Sequence, residues 1–178
     1  MILVISTCRY ELSEGEFVRP IVEIVKGCGF DCTVRRYYER MDGEYSGVII
    51  CGTALRDFDY LNHVDNFRWL VNYDGKVLGI CAGYQILAMI YSNTLERIKK
   101  IGVYNVRIVR ENPLIEKDEI RSYFLHSYAL RRVNESLEPL ALQDDEICMF
   151  KVRGREFYGV CFHPEVLNGE IISNFLYL

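Results

Sequence analysis

The sequence predicts an α/β protein with an open, mostly parallel sheet, flanking helices and an antiparallel extension in its second half. The first half alternates short apolar runs with helical patterns, which is typical of the βαβ units of parallel sheets. The second half carries apolar runs joined by turns, which indicates antiparallel pairing. No internal repeat and no linker interrupts the 178 residues, so we expect one domain, residues 1–178.

Each element of the first half has a pattern of its own. Residues 2–6 and 47–51 are continuous apolar runs, typical of strands that are covered on both faces. Ser13 and Glu16 have the spacing of a capping box, which predicts a first helix that continues to Gly27. The remaining elements expected here are strands at residues 31–38 and 76–80 and helices at residues 60–73 and 82–91. This order of elements favours a flavodoxin-like topology.

The second half is predicted to be mainly β. Single strands are expected at residues 103–110, 120–125 and 128–133. A hairpin is expected from residues 147–152 and 156–162, which flank the turn dipeptide Arg153-Gly154. A short helix over residues 171–178 follows.

Composition excludes several classes of protein. The net charge is −4 and the basic residues are scattered, so no nucleic-acid footprint is expected. No apolar run is long enough to cross a bilayer, and the N-terminal residues lack a basic region and a cleavage signal. We therefore expect a cytoplasmic protein that binds neither nucleic acid nor membranes.

The cysteines point to a reducing compartment. There are seven, with no CxxC pair, and an odd number leaves at least one thiol free. Cys8, Cys51, Cys148 and Cys161 lie in or beside apolar runs, where cysteine behaves as a small buried hydrophobe. These four are interpreted as structural.

The segment Gly79-Ile80-Cys81-Ala82-Gly83 joins a predicted strand directly to a predicted helix. It has the form G-x-C-x-G, the thiol version of the nucleophile elbow. In such a turn the central residue has a strained backbone, and the glycines let strand and helix backbones pass close together. The side chain then stands at the carboxyl edge of the sheet, where the helix N-terminus favours a thiolate. We predict that Cys81 is a nucleophile rather than another buried structural cysteine.

A cysteine nucleophile needs a base, and the chain has three histidines. His63 lies in a predicted helix without an orienting partner in the sequence. His163 follows a predicted strand and is followed by Pro164 and Glu165. Proline biases His163 toward an extended backbone, so the carboxylate of Glu165 could bond one ring nitrogen while the other faces the thiol. His163 is therefore the predicted base and Glu165 its orienting group.

These segments resemble the signature motifs of the class I, or triad, glutamine amidotransferases. Residues 79–85 are similar to the family's G-x-C-x-G-x-Q, and residues 159–166 are similar to its G-V-x-F-H-P-E. The resemblance extends over nearly the whole chain and implies the family fold. It implies that Cys81 attacks the side-chain amide of L-glutamine to form a glutamyl thioester, that His163 moves the protons and that Glu165 orients His163. It implies no cofactor and no metal.

The resemblance also implies a substrate pocket around the elbow. The backbone N–H groups of Gly52 and Ala82 would form the oxyanion hole. The implied substrate-binding residues are Gln85, His126, Ser127 and Tyr128. His126 has an equally good structural interpretation as a hydrogen-bonded strand residue.

Three positions depart from the family pattern. The oxyanion loop reads Cys51-Gly52-Thr53, where the family usually carries two glycines and a proline. Cys161 stands where a glutamine is common, and Ala82 stands in place of the usual leucine. None of these departures removes a catalytic group.

The resemblance implies a partner, because a chain of this length has no room for a fused synthetase. We expect a separate, ammonia-accepting synthetase subunit. Its identity stays open, since different segments resemble the glutaminase subunits of imidazole glycerol phosphate synthase, GMP synthase and anthranilate synthase. Two other functions also stay open: a γ-glutamyl hydrolase or cysteine peptidase on the same fold, and a non-catalytic regulatory module.

Overall fold

In a computed structural model, which describes all residues 1–178, nine strands form one sheet. The strands are β1 (Ile2–Ser6), β2 (Cys32–Arg36), β3 (Gly47–Ile50), β4 (Lys76–Ile80), β5 (Glu96–Ile108), β6 (Glu119–Ala129), β7 (Leu137–Gln143), β8 (Glu146–Val152) and β9 (Phe157–Val160). Their order in the sheet is β2-β1-β3-β4-β9-β8-β7-β5-β6.

The sheet has a parallel part and an antiparallel part. β2, β1, β3, β4 and β9 are parallel neighbours, and from β8 onward every pairing is antiparallel. In the parallel part β9 occupies the fifth position of the flavodoxin-like order. The predicted α/β fold with an antiparallel extension is thus confirmed.

Five α-helices and two 3₁₀ segments accompany the sheet. They are α1 (Glu14–Phe17), α2 (Arg19–Gly27), α3 (Ala82–Ile90), α4 (Pro164–Leu167) and α5 (Gly169–Leu176), with 3₁₀ segments at Glu11–Ser13 and Asp59–Asn72. Helices α2, α4 and α5 pack together, whereas α3 packs against β4 and the longer 3₁₀ segment. The buried apolar side chains of both sheet parts belong to one continuous core.

The predicted capping box is wrong. Ser13 has a helical backbone and its side chain caps nothing. The helix also breaks at Val18, between α1 and α2. Pro20 lies in the first turn of α2, and its ring excludes the helical hydrogen bond that would join the two helices.

Three other boundaries differ from expectation. Residues 120–125 and 128–133 are predicted as two strands, but continuous pairing with β5 joins their first part into the single strand β6. The pattern does not predict β7, because Pro139 and the register shifts around it obscure the alternation. The predicted helix over residues 60–73 is a 3₁₀ segment interrupted at His63.

The parallel strands bring three loops to one edge of the sheet. Cys51 follows β3, Cys81 follows β4, and His163 lies shortly after β9. Because these strands are parallel neighbours, their carboxyl ends meet at that edge. None of the helices has both the length and the apolar character needed to cross a lipid bilayer.

Candidate active site

Cys81 occupies a strained turn between β4 and α3. Its φ is 49° and its ψ is −96°, in the region of positive φ that side chains rarely adopt. A methyl group at Gly79 would lie 2.5 Å from the carbonyl carbon of Gly83, and one at Gly83 would lie 2.3 Å from the oxygen of Ile50. Both glycines are required by backbones in direct contact, as the elbow pattern predicts.

His163 is held by Glu165. The backbone of His163 is extended, and Pro164 begins α4 immediately after it. This turn brings Nδ1 of His163 to 2.8 Å from Oε1 of Glu165, and both side chains are 1% exposed. The other ring nitrogen, Nε2, is buried and has no hydrogen-bond partner in the protein. One side of the ring is thus fixed while the other remains free.

Cys81 and His163 converge on Gly52. A methyl group at Gly52 would lie 2.6 Å from Cε1 of His163 and 3.1 Å from Cβ of Cys81. Sγ of Cys81 also lies 3.5 Å from the carbonyl oxygen of Leu125 on β6. Only a residue without a side chain leaves room for the two groups to meet.

The electrostatics of this pair favour a charged imidazole. Burial lowers the pKa of His163, but the negative charge of a Cys81 thiolate and that of Glu165 outweigh it. The net effect holds the pKa of His163 well above its usual value. At neutral pH the site therefore holds a protonated His163 beside Cys81.

Two backbone N–H groups are free next to the thiol. Ala82 is the first residue of α3, so its N–H has no partner within the helix. The N–H of Gly52, in the loop after β3, donates no hydrogen bond to the protein. Both groups predicted for the oxyanion hole are therefore available as donors.

The predicted substrate-binding side chains are engaged within the protein. Gln85 accepts a hydrogen bond from the hydroxyl of Tyr60 and donates one of 2.9 Å to the carbonyl of Tyr128. Ser127 donates its hydroxyl to the carbonyl of Leu55 at 3.2 Å. Gln85 thus joins three elements of the chain, and Ser127 holds the loop that follows Gly52.

Tyr128 is partly buried beside the same loop. Its ring packs edge-on against Phe58, with 5.4 Å between the ring centroids. Sequence reasoning missed Tyr60, the other partner of Gln85, because no local pattern links residues so far apart.

The side chain of His126 belongs to a different cluster. Its Nδ1 lies 3.0 Å from the carbonyl of Ile98, and its Nε2 lies 2.8 Å from Oε1 of Glu146. The side chain is fully buried and both nitrogens face protein groups. We therefore replace the substrate-binding expectation for this side chain with the structural one.

Glu146, which the sequence did not single out, organises that cluster. Lys100 lies 2.6 Å from its Oε2, and the thiol of Cys161 lies 3.3 Å from its Oε1. His126, Glu146 and Cys161 are close enough to hold a metal ion, but the Lys100 ammonium already neutralises the carboxylate. Burial raises the pKa of Glu146, yet His126 and Lys100 outweigh it and the pKa lies below its usual value.

The third histidine stays outside the site. Nδ1 of His63 lies 3.0 Å from the carbonyl of Asp59, within the same 3₁₀ segment. All seven cysteines are free thiols, and the four interpreted as structural are buried.

Comparison with known proteins gives related matches. The chain is 31% identical over 115 residues to the glutaminase component of the glutamine-hydrolysing GMP synthase of Methanosphaera stadtmanae, covering 60% of this chain and 62% of that one. It is 33% identical over 110 residues to the corresponding component of the enzyme of Methanocaldococcus jannaschii, covering 56% and 57%. The matched segments thus span less than two thirds of both relatives.

A solved structure has the same fold. A crystal structure assigned to a GMP synthase component of Thermoplasma acidophilum superposes with a TM-score of 0.86 at 18% identity, covering 99% of this chain and 93% of that one. Residues 13–177 match the family model described as glutamine amidotransferase class-I. With this match extending over nearly the whole chain, the protein belongs to the class I glutamine amidotransferase family.

Proposed function

We propose that the chain is a glutaminase that hydrolyses L-glutamine through a thioester on Cys81 and passes the ammonia to a separate synthetase subunit. The observation that carries the proposal is the arrangement of His163. One ring nitrogen bonds Glu165 at 2.8 Å, the other is unpaired, and the ring lies against Gly52 together with Cys81. A nucleophile, a base and an orienting acid are the groups that thiol-based acyl transfer requires.

In the first half-reaction the sulfur of Cys81 attacks the side-chain carbonyl carbon of glutamine. A carbon–sulfur bond forms, and the electron pair of the carbonyl moves onto its oxygen. Protonated His163 then gives its proton to the leaving nitrogen as the carbon–nitrogen bond breaks. Ammonia leaves, and the glutamyl group remains on Cys81 as a thioester.

In the second half-reaction water releases glutamate. Neutral His163 takes a proton from a water molecule, whose oxygen attacks the thioester carbonyl. The carbon–sulfur bond breaks and restores the thiolate beside a protonated His163. Glu165 stays ionised throughout and keeps the ring in the orientation that serves both steps.

Both half-reactions pass through a tetrahedral oxyanion. The N–H groups of Gly52 and Ala82 are the proposed donors, since each is free and each belongs to a residue beside Cys81. The loss of one such donor typically costs about 3–4 kcal/mol of barrier. Gln85, Ser127 and Tyr128 are proposed to shape the pocket through their contacts rather than through free side-chain atoms.

The proposed partner is a synthetase that consumes ammonia. The two relatives are glutamine-hydrolysing components of GMP synthase, so the synthetase component of a GMP synthase is the first partner to test. We treat residues 1–178 as one catalytic domain because its buried side chains form one core. The free thiols fit the reducing environment of the cytoplasm.

The test is glutamate release by the purified chain supplied with L-glutamine. We expect release to stop in Cys81→Ala and to persist in Cys28→Ala, whose thiol lies outside the site. The glutamyl thioester should be detectable by mass spectrometry as an adduct on Cys81. Faster hydrolysis of γ-glutamyl peptides than of L-glutamine would instead identify a γ-glutamyl hydrolase.

A further inference from the structure

Three consecutive residues after β1 hold the loop that contains Gly52. Thr7 donates its hydroxyl to the carbonyl of Cys51 at 3.0 Å. The thiol of Cys8 lies 3.8 Å from the carbonyl of Gly52, and the N–H of Arg9 donates to Asp57 at 2.7 Å. None of these three contacts involves a residue of the proposed triad, so the mechanism leaves their role unexplained.

The bond from Thr7 determines which way the peptide between Cys51 and Gly52 faces. The N–H of Cys51 donates to Ile5 of β1 at 2.9 Å, and its carbonyl accepts from Thr7, so both groups face β1. The chain has no cis peptide bond, and a trans peptide directs its C=O and N–H to opposite sides. The N–H of Gly52 therefore faces away from β1. In the order β1-β3-β4, that is the side on which Cys81 lies.

We propose that Thr7 is a positioning residue that keeps the Gly52 N–H aimed at the oxyanion. The inference rests on the proposed glutaminase function and adds a residue to it. Thr7 and Cys51 are fully buried, so water does not replace the hydroxyl if it is removed. A buried carbonyl without a donor rotates toward another partner, and the Gly52 N–H of the same peptide rotates with it. Glycine on one side of this peptide makes the rotation sterically easy.

The chain offers a matched control for a hydroxyl-to-carbonyl bond between the same two strands. Ser46 precedes β3 and donates its hydroxyl to the carbonyl of Met1 at 3.2 Å. This bond joins the amino ends of β1 and β3, whereas the bond from Thr7 joins their carboxyl ends. Removing the Ser46 hydroxyl therefore tests the loss of such a bond away from the oxyanion loop.

The experiment measures glutamine hydrolysis and thiol reactivity in Thr7→Val, Thr7→Ser and Ser46→Ala. We expect Thr7→Val to lower kcat by about tenfold or more, since the oxyanion forms only along the reaction, and to leave KM within about twofold. Thr7→Ser keeps the hydroxyl and should restore most of kcat. Alkylation of Cys81 by iodoacetamide should proceed at the wild-type rate in all variants, because that displacement forms no oxyanion.

Each other outcome overturns the inference in a recognisable way. A wild-type kcat in Thr7→Val removes the positioning role, and an equal loss in Thr7→Ser or Ser46→Ala assigns the effect to packing. A parallel loss of alkylation indicates general damage to the site. If wild-type chain releases no glutamate, the proposed function fails and this inference fails with it. If Thr7→Val does not fold, Thr7→Cys replaces it, because a thiol is only a weak donor, and an unchanged kcat is then decisive.

Discussion

Nδ1 of His163 lies 2.8 Å from Oε1 of Glu165, two residues further along the chain, and the two buried side chains form one unit. The short separation follows from Pro164, which starts α4 and turns the chain back directly after an extended residue. The base and its orienting acid thus come from a single turn. Only the nucleophile has to be supplied by another part of the fold.

Replacement of Cys81 by serine should abolish glutamine hydrolysis. A serine hydroxyl stays protonated at neutral pH, so the variant lacks an anionic nucleophile, and we expect kcat to fall at least about a thousandfold. Thermal unfolding should change little, because only one atom differs. Cys28→Ser is the matched control, since that thiol bonds Ser173 outside the site. Wild-type turnover in Cys81→Ser would refute the assignment of the nucleophile.

Replacement of Gly52 by alanine should inactivate the protein without unfolding it. The added methyl would lie 2.6 Å from Cε1 of His163 and 3.1 Å from Cβ of Cys81, so it must push the two groups apart. We expect a loss of kcat of about a hundredfold, as when catalytic groups are displaced by about 1 Å. The control is Gly27→Ala, where nothing lies within 4 Å. Equal activity in the two variants would contradict the convergence of Cys81 and His163 on Gly52.

Replacement of Glu165 by glutamine should change the pH profile of glutamine hydrolysis. The carboxylate helps to hold the pKa of His163 above its usual value, and the protonated ring is present below that pKa and lost above it. Removal of the charge lowers the pKa, so the alkaline limb of kcat/KM should move to lower pH. A measurable remnant of activity should persist, whereas His163→Ala should have none. An unshifted alkaline limb would argue against electrostatic coupling of the pair.

Replacement of Glu146 by glutamine should lower stability in a pH-dependent way. The loss of the carboxylate leaves Lys100 without its buried counter-ion, and we expect a cost of about 3 kcal/mol in the free energy of unfolding at pH 7. The folded-state pKa of Glu146 lies below its ordinary value of 4.5. Its contribution is therefore complete above that value and is lost as the pH falls through the folded-state pKa.

Urea unfolding of wild type and Glu146→Gln between pH 7 and pH 3 measures this effect. The difference between the two proteins should shrink only at the acid end of the series. Glu170→Gln is the control, since Glu170 pairs with Lys117 in an exposed ion pair that contributes little. A constant difference over the whole pH range would show that the carboxylate charge has no part in the stabilisation.

Local patterns predicted the parts of the fold and site that depend on neighbouring residues. The apolar runs gave the bounds of β1 and β4, and the glycine spacing around Cys81 predicted the elbow, because close backbone contact leaves a direct trace in the sequence. The motif around His163 likewise carries its own orienting acid. These features need no knowledge of distant partners.

The features that the sequence did not reveal depend on contacts between distant segments. Glu146 became recognisable only when pairing of the strands placed it beside Lys100 and His126. The bond from Thr7 to Cys51 joins residues 44 positions apart, and neither residue type signals it. β7 was hidden by Pro139, whose place in a strand becomes intelligible only with the register shifts beside it.

The positive φ of Cys81 carries a cost that the folded protein has to bear. A non-glycine residue in such a conformation typically costs about 1–3 kcal/mol, and nothing in the packing of the turn requires the residue there to have a side chain. Glycine at this position would relieve the strain, so a Cys81→Gly protein is expected to be inert and more resistant to heat. Mutational drift toward stability would favour that change. A cysteine in this turn therefore records selection for chemistry against the preference of the fold.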